Sequence, residues 1–191
     1  MKLFSTLLSI ISIVWIAFEI FLIVRDRRQG KGKTVSDRGT RYYNFIAIAL
    51  GIAIASVLQG NSKFFFLSRW SDIVFWIGLC IMLLGFGLRI WAVIILGASF
   101  RTTVETHTDQ QVVRSGPYRL VRHPSYGGLI LMCCGYGIAV QNWLSLAFAV
   151  ILPLVALLYR ISIEEAVLVS SLGSDYEKYQ RKTKKLVPWI W

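Results

Sequence analysis

Arg122-His123-Pro124-Ser125-Tyr126-Gly127-Gly128-Leu129-Ile130-Leu131 closes a polar, basic loop and opens a hydrophobic run at Gly127. A His and a Tyr three residues apart, joined through a Pro, therefore stand where water meets membrane. Pro suits the first turn of a helix, because its missing N–H has no partner there anyway. The helix after Pro124 points its free N–H groups at the loop, and such an end binds carboxylates or phosphates readily. His123 sits at that end and Tyr126 lies one turn in, on nearly the same face. The pair can hold a ligand bearing a carboxylate and a ring. The plainer alternative is a capped helix with interfacial aromatics.

Outward from this stretch the chain is mostly apolar. Of 191 residues, 55% are hydrophobic and 16% charged, less charge than a soluble domain of this size carries. The apolar residues come in long runs rather than amphipathic stripes. The fold class is therefore all-α integral membrane, with about five transmembrane helices. Residues 3–24 form a first span, read as a retained helix rather than a cleaved signal because a polybasic segment, 25–41, follows without a small-residue cleavage pattern. A second span covers 42–60 and a third 72–96, with Gly78, Gly85 and Gly87 allowing close helix contact. Phe64, Phe65, Phe66 and Trp70 between them suggest an interfacial belt.

Residues 97–126 are polar, with a turn at Ser115-Gly116-Pro117-Tyr118. The runs 127–141 and 143–160 are split only by Gln141 and Asn142 and read as a tight helical hairpin. The first arm is about 22 Å long, short of a hydrocarbon core of about 30 Å. The second arm runs on to Leu172, where Gly173 stops it. Ser174 and Glu177 are spaced as a capping box for a short C-terminal helix. The expected organisation is an N-terminal unit of two transmembrane helices, 1–71, and a core, 72–191.

The net charge of +11 could suggest nucleic acid, but the basic residues flank the apolar spans. Arg25, Arg27, Arg28, Lys31, Lys33, Arg38 and Arg41 share one loop. Arg101, Arg114, Arg119 and Arg122 share another, and Lys178, Arg181, Lys182, Lys184 and Lys185 lie in the tail. Only Lys63 and Arg69 occupy the loop on the other side. This positive-inside pattern places the pentapeptide loop and the C-terminus in the cytoplasm, with the lipid bilayer rather than nucleic acid as partner. Cys80, Cys133 and Cys134 lie in apolar segments and read as small buried hydrophobes. With His107 and His123 the only histidines and no Cys/His/Asp cluster, no metal is expected.

Four more ionisable residues stand at membrane depth, where such groups tend to face a polar cavity. Arg160 and Glu164 are i and i+4 on one helix face, while Glu165 points elsewhere. A snorkelling Arg with a routine ion pair is the alternative there. Glu19 and Arg89 each lie about 10 Å from the cytoplasmic end of their helices and can meet at one depth. They read as a structural pair first and a cavity lining second.

Gln111-Val112-Val113-Arg114-Ser115-Gly116-Pro117-Tyr118, followed by Arg122-His123-Pro124-Ser125-Tyr126 and then Arg160…Glu164-Glu165, resembles the two-part signature of the isoprenylcysteine carboxyl methyltransferase family. The resemblance covers about residues 72–191. The Arg-His-Pro-x-Tyr piece alone also resembles phospholipid methyltransferases and membrane sterol reductases. The resemblance implies S-adenosyl-L-methionine as cofactor and a carboxyl O-methyltransferase at the membrane face. By position, Gln110, Gln111, Val112, Val113 and Tyr118 would line the cofactor. His123, Pro124, Ser125 and Tyr126 would hold its amino-acid and adenosyl parts, and Glu164 would bind it from the other side. Arg160 would meet the methyl acceptor. Gln110 and Val112-Val113 depart from the family's usual His and Leu-Val, and Ser99-Phe100-Arg101-Thr102 departs from its eukaryotic members.

The acceptor so implied is the C-terminal carboxylate of a prenylcysteine-like or other lipophilic molecule. A carboxylate is ionised at pH 7 and needs no general base. A small thiol, amine or phospholipid acceptor is an alternative, and it would require proton loss. An NADPH-dependent sterol-type reductase and a non-catalytic membrane adaptor are more distant alternatives.

Overall fold

The computed structural model describes residues 2–28, 39–58, 72–102 and 111–188. The aromatic belt of Phe64, Phe65, Phe66 and Trp70, the basic loop 29–38, the loop residues His107 and Gln110, and the final Trp189-Ile190-Trp191 lie outside the described residues. Among those described, the elements are α1 (Lys2–Arg28), α2 (Thr40–Leu58), α3 (Asp72–Leu96), α4 (Pro124–Ala139), α5 (Trp143–Leu172) and α6 (Ser174–Lys182). A short 3-10 turn, Gly116–Arg119, marks the expected Ser-Gly-Pro-Tyr turn.

Helices α1, α2, α3 and α5 are long and apolar enough to cross a membrane. The protein is a multi-pass integral membrane protein. The remaining expected span, the fourth in chain order, is α4, which has 16 residues and so extends only about 24 Å. The bundle also shows the inverted exposure of a lipid-solvated protein. Ile13, Ile16 and Ile20 on α1, and Leu84 and Ile94 on α3, are exposed large apolar side chains. The core is a narrow seam that includes Trp15, Phe75, Met82, Met132, Cys133 and Leu157.

Two contacts set the architecture. Helix α4 lies mainly against α3, and α5 mainly against α2. The α3–α4 seam is built on glycine, since without a hydrophobic driving force small residues let helix backbones approach. A Cβ at Gly85 would fall 2.7 Å from the Gly128 carbonyl oxygen, and one at Gly135 would run into the Met82 backbone. Gly137 faces α5 instead, where a Cβ would meet Leu146 Cα at 2.6 Å.

The α4–α5 connection is a hydrogen-bonded corner. The Asn142 side chain accepts from the Leu144 and Ser145 amides, both at 3.0 Å, which caps α5. Its Nδ2 donates to the Leu58 carbonyl at 3.0 Å, satisfying the end of α2. At the other end of α5, Gly173 has φ 56 and joins α5 to α6 directly. The expected box between Ser174 and Glu177 does not form. Gly173 itself is the N-cap of α6, so Ser174 already lies in the first turn, and the Glu177 amide donates to the Gly173 carbonyl at 3.2 Å.

Candidate functional site

The site assembles where the loop before α4 meets the end of α5 and the tail. Pro124 is the first residue of α4, with His123 at its N-cap. The loop is held from outside by the tail. The Arg122 amide donates to Lys184 O at 2.7 Å and the His123 amide to Lys185 O at 3.0 Å. The Arg122 side chain adds bonds to the carbonyls of Gln180 and Thr183. The Tyr179 hydroxyl donates to Tyr118 O at 2.7 Å, tying α6 to the 3-10 turn.

Glu165 is the anchor of this layer. It accepts from Arg122 Nε at 2.7 Å and contacts His123 Nε2 at 3.1 Å. An ionised carboxylate only accepts, so the hydrogen of His123 sits on Nε2. His123 is 5% exposed, and its ring stacks on Tyr126 with centroids 5.5 Å apart and planes 11° apart. Its Nε2 is therefore committed to Glu165 and its face to Tyr126.

Tyr126 is the joint of the second layer. Its hydroxyl donates to Glu164 Oε2 at 2.7 Å and accepts from Arg160 Nε at 2.7 Å. Arg160, 3% exposed, also donates to Thr40 Oγ1 on α2 at 3.1 Å and to the Thr102 carbonyl at 2.8 Å. Deeper in the bundle, Arg89 holds Glu19 through Nε and Nη2 and reaches Ser125 Oγ through Nη1 at 2.8 Å. Glu19 and Arg89 are thus a pair, as their matched depth suggests, and the pair also fastens α1 and α3 to the start of α4.

Two cavities meet here. The larger, about 880 Å³ with its mouth, is lined by Gln111, Val112, Val113, Tyr118, His123, Ser125, Tyr126 and Glu164 from the expected set. Pro124 is fully buried and does not line it. Leu96, Val167, Leu168 and Leu172 form its apolar wall, and Phe100, Tyr176 and Tyr179 bring aromatic faces. Burial pushes the Tyr118 and Tyr176 phenols well above the ordinary range, and Tyr179 to about 12. Glu164 raises Tyr118 further by its charge, and Glu165 does the same for Tyr176. These phenols stay neutral hydrogen-bonding groups.

The smaller cavity, about 430 Å³, lies on the other side of Tyr126. Arg160 lines this one, and Glu164 lines the larger. Phe100, Arg101 and Tyr126 border both. Its remaining walls come from Glu19, Arg41, Asn44, Phe45, Ile48, Arg89, Thr102 and Leu129. Among the described residues, no group of three or more His, Cys, Asp or Glu is placed to hold a metal ion.

Sequence reasoning missed Glu165, which it set aside as facing away from Arg160. The signal available was the neighbouring carboxylate itself: at 100° from Glu164 it faces the loop that Arg122 and His123 occupy. It also missed Asn44 and Thr40 on α2 and Phe100 before the loop, for which no local pattern stands out.

The family profile described as the isoprenylcysteine carboxyl methyltransferase (ICMT) family matches residues 76–170. The chain belongs to that family. A relative in Oryza sativa subsp. indica, named "Probable protein-S-isoprenylcysteine O-methyltransferase", is 33% identical over 120 residues, which are 61% of this chain and 62% of the relative. The Schizosaccharomyces pombe protein-S-isoprenylcysteine O-methyltransferase is 36% identical over 109 residues, covering 56% of this chain and 46% of the relative. The chain thus spans about three fifths or less of these relatives' length. A solved structure titled as the eukaryotic intramembrane Ras methyltransferase ICMT superposes with a TM-score of 0.55 at 27% identity, covering 79% of this chain and 51% of that one. The family match begins at residue 76, so α1 and α2, which wall the smaller cavity, lie outside it.

Proposed function

We propose that this family member is an S-adenosyl-L-methionine-dependent carboxyl O-methyltransferase acting on a prenylcysteine-like or other lipophilic carboxylate at the cytoplasmic membrane face. The observation that carries the reading is the Tyr126 hydroxyl, which joins Glu164 in one cavity to Arg160 in the other. The larger cavity has the mixed lining usual for cofactor sites, apolar walls with a few placed polar groups. It offers the Glu164 carboxylate, an apolar wall and aromatic faces, which fit an amino-acid cation and a purine. Glu164, Tyr126, His123, Ser125, Gln111, Val112, Val113 and Tyr118 would hold it, together with Gln110, while Pro124 sets the start of α4 without touching it. When bound, S-adenosyl-L-methionine supplies an electrophilic methyl group on a sulfonium.

The chain's own residues position and shield. Arg160 orients the acceptor carboxylate, which is already ionised at neutral pH and needs no proton removed. Tyr126 keeps the Arg160 guanidinium aimed, since its hydroxyl oxygen accepts the Nε hydrogen. Glu165 locks His123 and Arg122, so the start of α4 does not move as ligands enter. The reaction joins opposite charges to give neutral products, so excluding water favours it where fixed protein dipoles replace the solvent. Alignment of two bound groups supplies most of the rate in such a site. The basic loops and tail support a cytoplasmic mouth for the larger cavity, and residues 72–191 form the methyltransferase core, with 1–71 its N-terminal transmembrane unit.

Isothermal titration tests the reading. S-adenosylhomocysteine should bind, and Glu164→Ala should weaken it about tenfold or more, as expected for a charge-assisted bond. Arg160→Ala should cut methylation of a prenylcysteine by about 100-fold or more while retaining cofactor affinity. Undiminished S-adenosylhomocysteine affinity in both Glu164→Ala and Tyr126→Ala would sink the cofactor assignment.

A further inference from the structure

The smaller cavity holds a polar atom with nothing to bind. Asn44 lines it from α2 and is 9% exposed. Its side-chain oxygen is buried and accepts no hydrogen bond. A buried carbonyl oxygen without a donor carries an uncompensated desolvation cost, and native interiors keep few of them. The other polar residues of the cavity each have a partner, and the Arg101 Nε hydrogen is the second unmatched polar atom in its lining. Glu19 and Arg89 bind each other, Arg101 binds Asp26, and Arg160 binds Tyr126, Thr40 and Thr102.

We propose that Asn44 is a specificity-determining residue, whose Oδ1 accepts a hydrogen bond from an amide N–H that the methyl acceptor carries beside its carboxylate. The inference rests on the methyl-transfer reading and adds the side chain that distinguishes an amide from an ester beside the acceptor carboxylate. Two placements carry it. Asn44 lies one helical turn from Thr40, on the same face of α2, and Thr40 Oγ1 takes Arg160 Nη1 at 3.1 Å. The Asn44 oxygen and the guanidinium that orients the carboxylate are therefore neighbours, as a carboxylate and the amide on its α-carbon are. Phe45, Ile48 and Leu129 line the same cavity and suit a hydrocarbon substituent. The donor itself is what a carboxylate on a plain alkyl chain lacks. Because α2 precedes the family match at residue 76, this selectivity belongs to the chain's own N-terminal helices.

The test uses the full-length protein in lipid nanodiscs and a matched pair of probes, N-acetyl-S-prenylcysteine and the analogue in which an ester oxygen replaces the amide N–H. Direct binding of each probe and methylation of each are measured, alongside S-adenosylhomocysteine affinity. The wild-type protein should favour the amide about tenfold, mainly through KM, the size of one net hydrogen bond to a neutral acceptor. In Asn44→Leu the ratio should fall to about one, with S-adenosylhomocysteine affinity retained and with no loss of thermal stability, since an unsatisfied oxygen has been removed. Asn44→Ala is the second variant should the leucine not fit. Equal handling of the two probes by the wild-type protein overturns the proposal, as does a preference that survives in both variants. If the wild-type protein binds no S-adenosylhomocysteine, the methyl-transfer reading fails instead, and the binding ratio of the two probes still decides the role of Asn44.

Discussion

The two cavities that meet at Tyr126 are built in different ways. The larger takes most of its polar lining from one continuous stretch, residues 111–126, joined by Ser99 and Arg101 before it and by Glu164 and α6 after it. The smaller is assembled from α1, α2, α3, α4 and α5 and from the Phe100-Arg101-Thr102 stretch that follows α3. A continuous stretch can carry a constant ligand from one relative to another, because the loop moves as a unit. Walls drawn from several helices can change one residue at a time, which suits the part of a ligand that differs. The division matches the family profile, which starts within α3 and leaves α1 and α2 outside.

Both cavities depend on the glycine seam between α3 and α4, so breaking it has the largest expected effect. Gly135→Leu puts a side chain where the Met82 backbone lies. Overpacking of this kind costs about 1–3 kcal/mol when neighbours can shift, and here backbone blocks the shift. Thermal unfolding in detergent should show that the variant no longer folds cooperatively. A variant with an unchanged melting temperature would mean that the helices are not this close.

A more selective break separates the cavities. Glu165 anchors the loop side only, through Arg122, His123 and the nearby Lys185. Glu165→Ala leaves Arg122 without its carboxylate and His123 without its acceptor, and removing one partner of a buried pair costs about 3–5 kcal/mol. Stability and S-adenosylhomocysteine affinity should both fall, while the binding of an acceptor analogue falls less. Equal losses on the two sides would show that the cavities are not independent.

The smallest expected effect sharpens the joint. Tyr126→Phe removes the hydroxyl that links Arg160 to Glu164 and keeps the ring stacked on His123. Each cavity should still bind its ligand within a few-fold. The coupling between them, measured as the change in acceptor affinity on adding S-adenosylhomocysteine, should drop by about 1 kcal/mol, the lower end of typical coupling energies. Coupling that persists undiminished would place the link elsewhere, with Phe100 or Arg101 the next residues to vary.

Legibility in the sequence followed the same line. Pro124 opens α4 and Gly173 ends α5 where the residue types alone put them, because caps and breakers act over a few residues. The third span, read as 72–96, is α3 to the residue, since an unbroken apolar run has sharp edges. His123, Tyr126, Arg160 and Glu164 stood out because each is polar at membrane depth. Asn44 did not, as one amide in an apolar helix carries no periodic signal. Glu165 was set aside because a helical wheel says which way a side chain points but not what waits there. The Ser174–Glu177 spacing suggested a cap that Gly173 supplies instead, since spacing does not fix which residue turns the chain.

The sequence by itself determined that this protein lives in a membrane and that its loop, its α4 start and the end of α5 share one polar boundary. Those facts follow from hydropathy, helix periodicity and the cost of charge in hydrocarbon, all of which act locally. Only the tertiary structure decided that Arg160 and Glu164, one turn apart on the same helix, face different cavities. The reason is steric: the Tyr126 hydroxyl stands between them, and its place there depends on glycine contacts between helices that the chain connects only through a long loop.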